Sequence, residues 1–218
     1  MRAAWARRLL SARPGAHLIG AVRGGGAGAP VSAPPIAVYE DAVSAAEEEA
    51  LVREASKWLD RLPFAGGHFD NVIQGYREVQ KPARGFSARA RAILARLTAA
   101  GGFADGAPLL PVHLLDLAAD GAIGRHVDHV EYSGESIVGL SLLSHATMVL
   151  HHEATDAWLP LSLPRRSLYV LRGEARYEWA HSLPLQHEGI DPSAPPKQRR
   201  VALLFRDAPR ELSVPIAK

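Results

Sequence analysis

A chain of 218 residues with 47% hydrophobic content can bury one substantial core, so a single folded domain is the expectation. Cysteine is absent, which excludes disulfides, thiolate nucleophiles and sulfur-ligated zinc or iron–sulfur sites; any metal must be held by imidazole and oxygen. The net charge is +2, but Arg2, Arg7, Arg8, Arg13 and Arg23 all precede the first acid, Glu40, and the remainder carries 20 basic against 23 acidic residues, a balance with no global pull on a polyanion.

Residues 1–30 are rich in arginine, alanine and glycine and hold no acid. Trp5, Leu9 and Leu10 can share one face of a short helix beside Arg7 and Arg8, the pattern of a mitochondrial or plastid transit peptide rather than a secretory signal. Pro30 to Pro35 reads as a linker into a domain spanning 36–210. Asp41 to Leu62 is the clearest helix: Ser44 and Glu47 fit a capping box, Leu51, Ala55, Trp58, Leu59 and Leu62 keep helical spacing, and Pro63 stops it. Asn71 to Val79 is extended, with a turn at Gly75. A second helix runs from Ser87 to Ala100, with Ala90, Ile93, Leu94 and Leu97 inward and Gly101 at its end. Its Arg89, Arg91 and Arg96 form either a solvated side or a phosphate-binding face.

From Val112 the texture becomes short β-rich runs: Val112–Leu117, Ile123–His129, Ser136–Leu143, Thr147–His151, Trp158–Leu161, Ser167–Leu171, Ala175–Trp179 and Arg200–Arg206, with turn signals such as Asp120-Gly121 and Ser133-Gly134. Many short strands behind two helices predict a mostly β fold, a jelly roll (double-stranded β-helix) buttressed by two N-terminal helices. No run approaches eighteen apolar residues, so no membrane-spanning helix is expected.

His126-Val127-Asp128 is the first candidate for chemistry. Ten histidines and ten aspartates make about half a His-x-Asp by chance, and the chain has two, the other being His68-Phe69-Asp70. Context separates them. On a strand, residues two apart point the same way, so His126 and Asp128 can both enter a barrel mouth. His181 can supply a third ligand from another strand, giving a two-histidine, one-carboxylate set with open positions on the metal. In the Arg200–Arg206 run, Arg200, Ala202, Leu204 and Arg206 share one face, and an inward arginine needs an anion to meet it. No arginine-bearing strand follows His68 at the matching distance, and His151-x-Glu153 has its later histidines too close. His113, His145, His151, His152 and His187 read as surface or satisfied core residues, and His129 falls on the face opposite His126.

His126-x-Asp128, His181 and Arg200-x5-Arg206 resemble the signature of the AlkB-like iron(II)/2-oxoglutarate dioxygenases. Leu114 to Leu117, Gly139 to Ser144 and Ser167 to Tyr177 are similar to the mitochondrial branch of that family, and the resemblance covers about residues 36 to 207. It implies that His126, Asp128 and His181 ligate Fe(II), that Arg200 pairs with the far carboxylate of 2-oxoglutarate, that Arg206 lines the adjoining pocket, and that Tyr169 donates to the same carboxylate. It implies oxidation of a substrate by O2 coupled to conversion of 2-oxoglutarate to succinate and carbon dioxide, location in the mitochondrial matrix, and a role in regulated necrosis and fatty-acid metabolism. Nucleic-acid-repairing members carry an Asn-x-Tyr pair where this chain has Leu115 and Leu117.

The segment Pro63 to Phe86 is too short for the two-hairpin lid with which base-repairing relatives hold a flipped base. The expected substrate is therefore a protein or a small metabolite, taken by a monomer without duplex DNA. Alternatives are demethylation of structured mitochondrial RNA through Arg84, Arg89, Arg91 and Arg96, a regulator with a slow iron site, and a zinc or cupin-type site.

Overall fold

The computed structural model describes residues 22–24, 32–67, 72–103, 109–185 and 195–209. The His68/Asp70 pair and His187 lie outside these residues, as does most of the leader expected over 1–30. Within that leader, Arg23 exchanges main-chain hydrogen bonds with Trp158 (2.9 and 2.8 Å) and lays its guanidinium over the indole at 4.9 Å. This stretch of the expected leader is thus seated on the barrel.

After β1 (Ala37–Tyr39) comes α1 (Ala45–Leu59). Its start is the expected capping box: the Ser44 hydroxyl accepts from the Glu47 N–H at 3.3 Å, and Glu47 accepts from the Ser44 N–H at 2.9 Å. Such a cap contributes about 1 kcal/mol. Leu51, Ala55 and Leu59 form the buried stripe. The helix ends before Leu62, which is 38% exposed. α2 (Ala88–Gly101) is capped by the Ser87 hydroxyl and closed by Gly102 in the left-handed conformation, φ 62°. It buries Ala90, Ile93, Leu94 and Leu97, the expected face.

The remaining elements are β2 (Ile73–Lys81), β3 (Val112–His126), β4 (Ser136–Leu142), β5 (Ala146–His152), β6 (Trp158–Leu163), β7 (Leu168–Arg172), α3 (Glu174–Tyr177), β8 (Trp179–Leu183) and β9 (Arg200–Arg206). The strands pair antiparallel in the order β1-β7-β4-β9-β3-β8-β5-β6, with β2 on the other edge of β3. β3 turns the sheet on itself. Its residues 113–117 pair with β9, whereas Ile123 and His126 pair with β8. The result is a nearly closed jelly roll of two layers with helices on one outer face.

Period two sorts the side chains. Leu115, Leu117, Ala202, Leu204 and Tyr169 face the interior between the layers, while Leu114, Val201, Leu203 and Phe205 pack outward with Leu51, Ile93 and Leu97 of the helices. The division of β9 is the one expected.

Besides Gly75, which is a bulge within the unbroken β2 rather than a turn, two sequence expectations for the strands are corrected. The runs Val112–Leu117 and Ile123–His129 form one strand that bends rather than turns at Asp120-Gly121, and it ends at His126. The bend depends on two glycines. A Cβ on Gly75, itself at φ 61°, would lie 2.8 Å from the Gly121 Cα, and one on Gly121 would lie 2.5 Å from the Gly75 carbonyl oxygen. No side chain fits between the crossing backbones. Secondly, Ala175–Trp179 is not a strand: Glu174 to Tyr177 form a helical turn after Gly173, and β8 starts at Trp179. The apolar positions Ala175, Tyr177 and Trp179 imitate alternation, but Gly173 at φ 50° reverses the chain, and the Trp179 Nε1–H donates back to Glu174 at 3.1 Å.

Candidate metal centre

His126 is the last residue of β3 and stands in register with His181 of β8, their ring centroids 4.3 Å apart. His181 lies within its strand, not after it. Asp128 has left the sheet and begins the loop to β4, so it shares no strand face with His126 as the sequence suggests. The loop nonetheless brings its Oδ2 to 3.8 Å from His181 Nε2. One ligand atom from each of His126, Asp128 and His181 lies within 4.8 Å of the others. His126 Nδ1 sits 3.0 Å from the Gly124 carbonyl, which accepts only from an Nδ1–H, leaving Nε2 bare as a ligand.

The site favours deprotonated ligands. Burial, then the neighbouring His126, lowers the His181 pKa to about 3. Burial alone would raise that of Asp128, but the charges of Arg206, His181 and His126 outweigh it and hold the carboxyl well below its usual range. A neutral imidazole and an ionised carboxylate are the forms a divalent cation takes.

Because no strand ladder fixes Asp128, other groups hold its loop. Arg176 of α3, 2% exposed, donates from Nη1 to the Asp128 carbonyl at 2.7 Å and reaches the Ser133 carbonyl at 3.5 Å. Asp207 accepts from the main-chain N–H groups of Glu135 (3.1 Å) and Ser136 (2.9 Å) at the loop's far end. Arg206 donates from Nη2 to Asp128 Oδ1 at 2.8 Å. Arg206 therefore touches a candidate ligand directly.

Deeper in the barrel, Arg200 opens β9 with 3% exposure. Its Nε donates to the Ser141 hydroxyl at 2.9 Å, while Nη2 is buried without a hydrogen-bond partner among the described residues. Tyr169 of β7 lies against it; burial raises the Tyr169 pKa although the Arg200 charge opposes this. Gly139 of β4, paired with Tyr169 in register, makes room for the phenol: a Cβ there would lie 2.2 Å from Tyr169 Cζ. A small cavity is lined by Leu117, Thr147, Lys197 and Arg200, and the buried Thr147 hydroxyl also has no partner among the described residues. Leu117 is the cross-strand neighbour of Arg200. A leucine there offers the guanidinium no acceptor, so it keeps a donor for something else.

These features suit one assembly. Two imidazoles and a carboxylate with open positions fit Fe(II), and a buried arginine with an unmet donor fits a carboxylate brought in by a small acid. Arg176, Ser141, Thr147 and Gly139 carry no role in the sequence reading, since none stands in a spacing pattern. Only burial of a charge or a hydroxyl, or for Gly139 the Tyr169 ring packed against it, could single them out. The other expected histidine partners are local: His145 with Ser162, His151 with Ser182 and His152 with Thr155, at 3.1 to 3.2 Å. The helix arginines are largely engaged. Arg96 grips Glu47 at 2.6 and 2.9 Å, Arg91 donates to the Phe86 carbonyl and Arg89 to that of Ala46.

Residues 68–206 match the model of the 2OG-Fe(II) oxygenase superfamily. The chain is 41% identical over 170 residues to the bovine (Bos taurus) "Alpha-ketoglutarate-dependent dioxygenase alkB homolog 7, mitochondrial", covering 77% of this chain and 76% of that protein. It is 38% identical over 174 residues to the mouse (Mus musculus) protein of the same name, covering 79% and 78%. Among solved structures it resembles a prolyl hydroxylase from Trichoplax adhaerens, in complex with a hypoxia inducible factor peptide fragment, with TM-score 0.60 at 10% identity over 84% of this chain and 87% of that one; this likeness concerns the fold. The chain thus belongs to the 2OG-Fe(II) oxygenase superfamily, among the alkB homolog 7 proteins, and is a dioxygenase that works with Fe(II), 2-oxoglutarate and O2.

Proposed function

We propose that His126, Asp128 and His181 hold the Fe(II), that Arg200 and Tyr169 hold the far carboxylate of 2-oxoglutarate, with Thr147 beside them, and that Arg206 borders both. The observation that carries this is the convergence of three ligand groups in a site with a buried arginine that is partly unpaired among the described residues. The metal and co-substrate supply the oxidising chemistry when bound, while the protein's residues supply orientation and a dry enclosure. Arg200 selects a diacid through its charge and fork, and the Tyr169 hydroxyl, kept protonated by burial, remains a donor.

The oxidised substrate, on this reading, is a protein segment or a small metabolite in the mitochondrial matrix, met by a monomer. The loop after Asp128 presents Val130 (56% exposed) and Tyr132 (68%), and α3 presents Tyr177 (45%). The cation near the mouth, Arg125, is paired with Glu153 at 2.8 Å. An apolar, aromatic rim of this kind suits a peptide or an uncharged group better than a phosphate backbone. The mitochondrial naming of the relatives and the basic leader support the location.

Anaerobic addition of Fe(II) and 2-oxoglutarate should produce a weak visible absorption band, and aerobic incubation should release succinate, both lost in His126→Ala. Absence of band and succinate in the wild-type chain would defeat the assignment. Succinate release with peptide libraries, metabolite pools and methylated RNA then separates the substrate classes. The roles in regulated necrosis and fatty-acid metabolism belong to the same proposal. Cells lacking the protein, rescued with wild-type or His126→Ala chain, test whether those roles need the metal.

A further inference from the structure

His113 has the form of an ordinary satisfied histidine, but its partners tie it to the metal centre. It stands on the interior-facing side of β3 with Leu115 and Leu117, flanked by β2 and β9. Its Nδ1 is 3.1 Å from Arg206 Nη1, and its Nε2 is 2.8 Å from Glu78 Oε2 on β2. Arg206 Nη2 in turn donates to Asp128 Oδ1 at 2.8 Å. A guanidinium has no acceptor, so His113 Nδ1 must accept from it; Nε2 therefore carries the proton and donates to the Glu78 carboxylate. Every member of the chain Glu78–His113–Arg206–Asp128 has one permitted direction of donation.

We propose that Glu78 and His113 are positioning residues for the metal centre, acting through Arg206 on the orientation of Asp128. The proposal rests on the metal-site reading above. Arginine and a carboxylate prefer to pair bidentately, two N–H groups on two oxygens. Here His113 holds Nη1, and Arg206 meets Asp128 through Nη2 alone and covers only Oδ1, with its Nε left unpaired among the described residues. Oδ2 stays turned toward His181 Nε2, 3.8 Å away, where a metal needs it. Without His113, nothing on β3 restrains Nη1, and the fork is free to close over both oxygens and mask the ligand.

The test is Co(II) titration of the purified full chain without 2-oxoglutarate, read by the visible d–d bands, with thermal midpoints recorded alongside. His113→Leu should weaken Co(II) binding by about tenfold, the usual effect of removing a residue that orients a ligand. Glu78→Ala should weaken it by a smaller factor, and Glu78→Gln, which keeps an acceptor oxygen, should restore most of that loss. In an Arg206→Met background neither change should matter. Unaltered Co(II) affinity in His113→Leu, or an equal loss with Arg206 already replaced, overturns the proposal. If His113→Leu does not fold, the Glu78 variants decide on the same criteria. A wild-type chain that binds no Co(II), matching His126→Ala, would instead overturn the metal-site reading itself.

Discussion

Gly139→Ala tests how the barrel seats its co-substrate end. The added methyl would stand 2.2 Å from Cζ, 2.4 Å from Cε1 and 2.4 Å from the hydroxyl oxygen of Tyr169. Ordinary contact requires about 3.4 Å, so the ring must move by roughly 1 Å. Tyr169 is 4% exposed and wedged into the two-layer core, and β4 cannot yield easily because it is paired with β7 and β9. Overpacking of this kind costs about 1–3 kcal/mol. In a domain of this size that is a fall of about 2–12 °C in the thermal midpoint. On the proposed assignment, the displaced phenol also leaves the position from which it would donate to the far carboxylate of 2-oxoglutarate. Losing one hydrogen bond to a charged group, about 1.5–3 kcal/mol, weakens 2-oxoglutarate binding by roughly 10–100-fold. Calorimetric titration of 2-oxoglutarate into the Co(II)-loaded chain measures that loss. Adding Tyr169→Ala should remove the steric penalty, so that Gly139→Ala no longer lowers the midpoint in that background. A single variant with an unchanged midpoint and an affinity within about twofold of wild type would refute the reasoning.

Three further outcomes follow from the site. Arg200→Gln should raise the 2-oxoglutarate requirement by about 10–100-fold, since charged hydrogen bonds are lost, whereas Arg206→Met should act mainly on metal affinity; equal effects on the co-substrate would undo the division. Arg176→Met leaves the Asp128 and Ser133 carbonyls without their buried donor, with an expected stability loss of about 1–3 kcal/mol by urea unfolding together with weaker Co(II) binding. The metal-free chain should lose stability on acidification. His181 stays neutral when folded down to about pH 3, while the unfolded imidazole takes a proton below about pH 6.5, so the unfolded state binds more protons between those values. Stability then falls as pH drops through this window, by up to about 1.4 kcal/mol per pH unit. Asp128, depressed in the folded state, acts in the same direction at lower pH. Urea midpoints at pH 7 and pH 5 that coincide, or a slope unchanged in His181→Gln, would contradict this.

The parts of the fold that follow a period were legible in the sequence. The Ser44 cap, the inward stripes of both helices and the two faces of β9 all come from local spacing, and the structure keeps them. Tertiary context decided the rest. No local signal tells that Asp120-Gly121 is a bend within one strand, because the reason is the Gly75 backbone crossing beside it. Alternation misassigned Ala175–Trp179, since a single helical turn is too short to show its own period. Among the site residues, His126 and His181 could be grouped by the order of His-x-Asp, His and Arg-x5-Arg and by the family resemblance, whereas their register on adjacent antiparallel strands is a property of the fold. Arg176 could not be recognised. Its importance is that a charge is buried at 2% exposure against two carbonyls, which is a property of the assembled loop.

The two ends of the site are therefore built with different rigidity. Arg200, Ser141, Gly139 and Tyr169 stand on β9, β4 and β7, three neighbouring strands of one sheet layer, so the geometry of the end we propose for the diacid is fixed by main-chain ladders. Asp128 stands on a loop fastened by Arg176, Arg206 and Asp207, and that same loop carries Val130 and Tyr132 into solvent. On the proposed reading, a substrate pressed against those two side chains would pull on the backbone of Asp128, two residues before Val130. Conversely, a metal that fixes Asp128 fixes the surface the substrate meets. Occupancy of the metal site and affinity for the primary substrate should accordingly rise together, while 2-oxoglutarate binding at the strand-built end varies less. Substitution of Tyr132 by alanine is then expected to alter substrate-dependent succinate release without changing the 2-oxoglutarate requirement, and a change in that requirement would show that the two ends are not separate.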